Sequence, residues 1–356
     1  MNLLFLNSAK NWGGNEKWIY LATHALAKEH QVYFANRKEI VGERFQVEKI
    51  RLPFLNEFDF YTIFRLIFIV VKYKVEVLIP TKSKEYFLAG VIAKLCRRKN
   101  VIRLGIVREL NNSWIKNLVY NKLADGIIVN AHSIKAALLK SRFMKAEKIR
   151  LIYNGVNSDE IDSNAKFPID RKLSFKFLVA SMGQLSKRKS MDVVIRGFAD
   201  FITKSKASDA GLVIIGRGEK LIELQVLVQK LGISRQVIFT GFLENPFPYL
   251  KLSQVFISTS MNEGISNSLL EAMYLRNVPI STSAGGTDYA IEHGANGFLL
   301  HENPVDEISQ YLFSLYKNEA VREKMAENAH QTILKKFSLS TMKTEMIHYF
   351  QELIQQ

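Results

Sequence analysis

Val255-Phe256-Ile257-Ser258-Thr259-Ser260-Met261-Asn262-Glu263-Gly264-Ile265-Ser266-Asn267-Ser268-Leu269-Leu270-Glu271-Ala272-Met273 reads as a strand, a loop and a helix in succession. The short apolar run Val255 to Thr259 suits a strand of a buried parallel sheet. Ser266 or Asn267 can cap the helix that Leu269 to Leu275 continues. Glu263 then falls in the loop, and Glu271 about one turn into the helix. In an open α/β sheet, ligands bind beyond the carboxyl ends of the strands, where helix N-termini offer N–H groups to anions. Two carboxylates bracketing such a junction can contact opposite ends of one ligand. Alone, the same pair also suits a surface loop and a solvated helix face.

The same rhythm extends in both directions. Strands are predicted at Lys176 to Met182, Leu212 to Ile215, Gln236 to Thr240 and Val278 to Thr282, with helical stretches between most of them. Earlier in the chain, strands are expected at Asn2 to Asn7, Gln31 to Ala35, Val75 to Pro80, Val101 to Leu104, Gly126 to Val129 and Ile149 to Ile152, and a helix at Glu16 to Glu29. Alternating elements of this kind build a parallel sheet covered on both faces. The turn signal Asn154-Gly155-Val156-Asn157 opens a polar stretch that lasts to about Lys172, and the domain hinge is placed there. The expected division is 1–165 and 166–339, with a final helix, about 340–356, crossing back to the first domain. At 356 residues the chain exceeds what a single core serves, so two domains are expected.

Composition is that of an ordinary globular protein, 47% apolar and 23% charged. One cysteine, Cys96, excludes an internal disulfide, and the N-terminus has no secretory signal pattern, so a cytoplasmic location is expected. The apolar stretch Phe58 to Pro80 is interrupted by Arg65, Lys72, Lys74 and Glu76. A spanning helix needs about 20 mostly apolar residues, so this stretch is read instead as a buried helix near Tyr61 to Tyr73 followed by a strand. No Asp-x-Asp or His/Cys cluster of ligand spacing stands out, so no metal and no cofactor are expected.

The segment around Glu263 and Glu271 closely resembles the signature of the retaining family-4 glycosyltransferases. Two glutamates are separated by seven residues; Gly264 and then Ser266-Asn267 follow the first, and Ala272-Met273 the second. The match continues into Pro279, Ala284-Gly285-Gly286-Thr287-Asp288 and Gly294 to Leu300. The resemblance implies the α/β GT-B fold, two Rossmann-like doubly wound domains facing across a cleft. A nucleotide diphosphate sugar would be held by the C-terminal domain, and domain closure would exclude water. By that analogy Glu263 faces the donor sugar, the backbone of Gly264, Ile265, Ser266 and Asn267 meets sugar and phosphates, and Glu271 holds the ribose.

Further segments share the resemblance. Gly183-Gln184-Leu185-Ser186-Lys187-Arg188-Lys189-Ser190 is similar to the family's basic diphosphate loop, with Arg188 and Lys189 as the cations. It departs from many relatives at Gln184, where they carry Arg, and at Ser190, where they carry Gly. A departing diphosphate gathers charge and needs fixed cations. Gly216-Arg217-Gly218-Glu219 and Phe239-Thr240-Gly241-Phe242 resemble the loops that line the base pocket. Gly13 and Gly14, within Trp12-Gly13-Gly14-Asn15-Glu16-Lys17, resemble the Gly-Gly-x-Glu loop that faces the donor from the first domain. Many relatives carry a histidine in a mid-domain loop of that half. Here Arg103-Leu104-Gly105-Ile106-Val107-Arg108-Glu109 has none, and Arg103 and Arg108 are the candidates to contact donor or acceptor. His132 is read as a plain loop residue.

Charge is uneven. Residues 1–165 hold 27 Lys and Arg against 15 Asp and Glu, which is +12 of the total +15. An excess on the acceptor half suggests an anionic partner, expected to be a glycan or glycolipid acceptor at the inner face of a membrane. The contact would run through Lys94, Arg97, Arg98 and Lys99 beside Phe87, Leu88 and Leu95, and through Arg142, Lys145, Lys148 and Arg150 beside Phe143 and Met144. No recognition motif supports nucleic acid as the partner. The alternatives are a nucleotide-sugar epimerase of the same architecture and a non-enzymatic sugar-binding protein.

Overall fold

A computed structural model describes residues 1–56, 59–169, 173–260, 264–283 and 285–356. The chain divides into two units, Met1–Gly155 with Leu339–Gln356, and Val156–Ser338.

Seven parallel strands form the sheet of the first unit: β1 (Asn2–Asn7), β2 (Gln31–Asn36), β3 (Glu48–Arg51), β4 (Val77–Pro80), β5 (Lys99–Leu104), β6 (Gly126–Val129) and β7 (Ile149–Leu151). Their order across the sheet is β3-β2-β1-β4-β5-β6-β7. Both faces are covered, which is why β1 is almost continuously apolar. Leu3 and Phe5 point into a core shared with the helices Gly14–Leu26 and Leu339–Gln355. Leu4 and Leu6 point into the opposite core, against Phe60–Lys72 and Ser83–Leu95. The alternation follows from the period of two along a strand.

The second unit has six parallel strands, β8 (Phe177–Met182), β9 (Ala210–Ile215), β10 (Val237–Gly241), β11 (Val255–Ser258), β12 (Val278–Thr282) and β13 (Phe298–Leu300). Their order is β10-β9-β8-β11-β12-β13. In each sheet the order reverses about the first strand, so β1/β4 and β8/β11 are the topological switch points.

Three sequence expectations need correction. The division falls at Gly155–Val156, not at 165, because the polar stretch placed at the hinge contains the helix Ser158–Asn164 of the second unit. That helix is fixed there by Asn245 Nδ2, which donates to the Asn164 carbonyl at 2.9 Å, and by Tyr274 Oη, which donates to Asp162 at 2.8 Å. The chain leaves the unit at Ser338, where Val156 N–H donates to Phe337 O at 2.8 Å and the two passages run parallel. Second, the helix Phe60–Lys72 is buried on one face only; Phe60, Tyr61, Phe64, Phe68 and Val71 are exposed. Third, the two basic clusters are engaged in the fold only in part, and Arg97, Arg142, Lys145 and Leu95 are exposed. Leu88 and Met144 are buried. Lys94 pairs with Asp125 at 2.7 Å, Arg150 pairs with Glu352, and Lys148 donates to the Ala124 carbonyl at 3.0 Å. Among the described residues no helix is long and apolar enough to cross a membrane.

Candidate functional site

Every strand of the second unit is parallel, so the loops that follow β8 to β12 emerge at one edge of the sheet. The loop after β8 begins at Gly183, at φ +159°, and passes through a single 3-10 turn, Lys187–Lys189. It enters the helix Met191–Ser205 through Ser190 in the left-handed conformation, φ 45° and ψ 46°. Glycine adopts that conformation at least cost, so the serine at this position holds a backbone geometry that favours glycine. Lys189 is buried and folds back over Gly183; a Cβ added there would lie 3.1 Å from Lys189 Cε and 3.5 Å from its Nζ. Arg188 is exposed. The Thr259 hydroxyl, at the end of β11, lies 2.8 Å from the Ser190 carbonyl and 3.1 Å from that of Lys189. It ties the two loops together across the switch point.

Adjacent loops are stitched through their backbones. Gly183 N–H donates to Ile215 O at 2.9 Å, Gly216 N–H to Gly241 O at 2.8 Å, and Leu185 N–H to Arg217 O at 3.0 Å. Gly216, at φ +144°, faces the carbonyl oxygen of Gly183, and Gly218 faces that of Leu185; a Cβ at either would collide with it. Both glycines thus have a packing reason that is independent of any ligand. Gly241, at φ +72°, has open space where a Cβ would stand. Arg217 is exposed and stacks 5.1 Å over the ring of half-exposed Phe242.

The loop after β11 leads to the helix Asn267–Tyr274. Gly264 O accepts from Gly286 N–H at 3.2 Å, which joins this loop to the one after β12, and Ile265 is buried beneath it. Ser266 occupies the N-cap position in an extended conformation, but its Oγ pairs with Ser268 Oγ at 2.8 Å and makes no side-chain cap. The partial positive charge of the helix end therefore meets no capping oxygen from Ser266. Glu271 is buried, on a helix whose run from Leu269 to Tyr274 is buried throughout. Glu263 and Ala284 lie outside the described residues.

In the first unit, the helix Gly14–Leu26 begins directly behind Gly13. Glu16 is buried, accepts from Asn7 Nδ2 at 3.0 Å and pairs with Lys82 Nζ at 3.0 Å. Asn15 Nδ2 donates to Thr81 O at 3.1 Å. Glu85 is fully buried and accepts from the backbone N–H groups of Ser8, Thr81 (2.9 Å) and Lys82 (2.9 Å). Burial pushes its carboxyl up to about 7, against the downward pull of those donors. None of Asn7, Lys82 and Glu85 was singled out from sequence. The signal that finds them is strand order: they surround the ends of β1 and β4, the switch point of this sheet.

Arg103 does not reach outward, as sequence suggested. It is buried, donates to Asn15 Oδ1 at 2.7 Å and stacks 4.6 Å over Trp18. Burial lowers its pKa to about 10. Its place is behind the glycine loop, supporting Asn15. Arg108 is half-exposed and donates to Ser83 Oγ at 2.9 Å.

Residues 162–332 match the model of a family described as glycosyl transferases group 1. Over 99% of both chains, this one is 25% identical to a Campylobacter jejuni enzyme named as an α-1,4-N-acetyl-D-galactosaminyltransferase acting on a GalNAc-containing diphospho-undecaprenol glycan. A second Campylobacter jejuni enzyme, named as a 4-α-N-acetylgalactosaminyltransferase of a diphospho-undecaprenol, is 27% identical over 68% of this chain and 64% of its own. The matches span less than two thirds of the length of several such relatives. Among solved structures, Anabaena HepE in complex with UDP superimposes with a TM-score of 0.82 at 17% identity, covering 99% of this chain and 100% of that one. The likeness establishes the GT-B type of fold.

Proposed function

Because residues 162–332 carry the glycosyl transferases group 1 domain, we propose that this chain moves a sugar from a nucleoside-diphosphate donor to an acceptor hydroxyl with retention of configuration. The product would be a lipopolysaccharide or other surface glycan. The observation that carries this reading is the loop edge of the second unit. There Arg188, Lys189 and Arg217, the start of the helix Asn267–Tyr274 and the buried Glu271 all follow strands of one parallel sheet.

Such an edge suits a diphosphate with a ribose on one side and a sugar on the other. As the anomeric bond breaks, negative charge accumulates on the diphosphate, and Arg188, Lys189 and the helix end stabilise it. Glu271 accepts from the ribose hydroxyls, and Glu263 faces the sugar. The acceptor hydroxyl attacks the oxocarbenium-like centre from the side the diphosphate leaves and gives its proton to the departing phosphate oxygen, which preserves configuration without a covalent enzyme intermediate. No metal or other cofactor is required by this scheme. The acceptor is proposed to be a lipid-linked glycan, in keeping with the diphospho-undecaprenol substrates named for the two Campylobacter relatives. The enzyme would then meet it peripherally, at the inner face of a membrane.

The test is to incubate the purified chain with a panel of nucleotide sugars and a lipid-linked glycan extract, and to follow nucleoside diphosphate release and the anomeric signal of the product. Acceptor-dependent release with an unchanged anomer is expected. Isomerised nucleotide sugar without net consumption would instead identify an epimerase.

A further inference from the structure

The helix Phe60–Lys72 is apolar on both sides. Its inner face, Thr62, Leu66, Ile69 and Val70, meets the core of the first unit. Asp59 anchors its start, accepting from Thr62 N–H at 3.0 Å and Leu55 N–H at 2.9 Å. On the other side Phe60, Tyr61, Phe64, Phe68 and Val71 are 56–70% exposed. At about 100° per residue, Phe60, Phe64, Phe68 and Val71 fall within an arc of roughly 80°, one continuous stripe. Tyr61, Lys72 and Arg65 border it, and all three are exposed. The helix contains no acidic residue. Lys72 Nζ lies over the rings of Phe68 and Tyr73, at 5.9 and 5.0 Å, and Lys74 follows at the helix end.

A stripe of three phenylalanines does not remain in water on an ordinary surface helix. We propose that this face lies in the interfacial plane of an anionic bilayer, with the aromatic rings among the acyl chains and Arg65 and Lys72 on lipid phosphates. Charge selects this occupant. A two-fold contact with a second copy would set the same patch on both sides and bring Arg65 and Lys72 against their own counterparts. An anionic leaflet answers those cations and the +12 excess of residues 1–165. The stripe has the chemistry of a helix that lies on a membrane, since Phe and Tyr enter the interface and cations stay at headgroup level. The proposal deepens the membrane-side acceptor reading above and assigns it to this helix in place of the Lys94 and Arg142 clusters.

Co-sedimentation with vesicles tests it in the absence of any donor or acceptor. The full chain is mixed with phosphatidylglycerol-rich vesicles and with phosphatidylcholine vesicles at low salt, beside Phe64→Ser/Phe68→Ser, Arg65→Glu/Lys72→Glu and a control, Arg97→Glu/Lys145→Glu. Wild type is expected to bind the anionic vesicles only. Both helix variants should weaken that binding about tenfold or more, and the control less than about threefold. Nucleoside diphosphate binding, assigned to the second unit, serves as the folding control and separates failure of this surface from failure of the proposed activity. The proposal is overturned by absence of anionic vesicle binding, by helix variants that bind like wild type, or by a control that loses as much. Lipid-free self-association abolished by Phe64→Ser/Phe68→Ser would assign the stripe to a second copy and overturn it equally.

Discussion

Gly216 is held at φ +144° with its missing Cβ directed at the carbonyl of Gly183, whereas Gly241 at φ +72° has open space around it. Gly216→Ala combines backbone strain with a collision that only loop movement relieves, and should cost about 2–3 kcal/mol. Gly241→Ala carries the strain alone, about 1–2 kcal/mol. Equal losses in denaturant titrations would contradict the close packing of the two loops. Glu85 offers a pH test. Its folded carboxyl is raised to about 7 from an ordinary 4.5, so the native state holds the extra proton between those values. The stabilisation is complete below about pH 4.5 and is lost as pH rises through about 7, an effect of order 3 kcal/mol at most. Melting curves from pH 4.5 to 8 should show this slope in wild type and a flatter one in Glu85→Gln; the same slope in both would refute it. Sequence exposed residues of this kind unevenly. Glu271 and the basic loop could be singled out because they follow recognisable strands in segments that resemble a family's motifs; their position alone also suited a solvated surface. Glu85, Asn7 and Lys82 could not, because what matters about them is which strands lie side by side.

Among elements, the last helix is the one whose removal has the clearest consequence. Leu339–Gln355 buries Met342, Met346, Tyr349, Phe350 and Leu353 in the core of the first unit. Tyr349 Oη donates to Lys148 O at 3.0 Å, and only a glycine at position 126 leaves room for that hydroxyl. Phe350→Ala should destabilise the first unit by about 3–5 kcal/mol. In calorimetry the transition of that unit should fall while that of Val156–Ser338 stays in place; a joint shift of both would contradict the assignment of this helix. Long buried strands such as β1 and β9 were legible because burial on both faces makes them continuously apolar. The edge strand β3, Glu48–Arg51, was not, since its charged and exposed residues carry no such pattern, and β13 has only three residues. The helix Phe60–Lys72 misled for the converse reason. Hydropathy signals burial, and half of its apolar surface is not buried.

For the molecule as a whole, the two-unit α/β architecture was legible from the alternation of elements. The boundary near Gly155 was set ten residues late because a capped polar helix, Ser158–Asn164, reads like a linker. The central claim is that the second unit holds the nucleoside diphosphate of a sugar donor. Titration calorimetry of UDP, GDP and ADP, each beside its nucleoside, tests it most directly with the full chain, Glu271→Ala and Arg188→Ala/Lys189→Ala. The account predicts that at least one diphosphate binds more tightly than its nucleoside. Glu271→Ala should weaken it by about 1.5–3 kcal/mol, and the double substitution should remove the advantage of the diphosphate while sparing the nucleoside. A wild-type chain that binds none of the three, or a Glu271→Ala chain that binds undiminished, would contradict it.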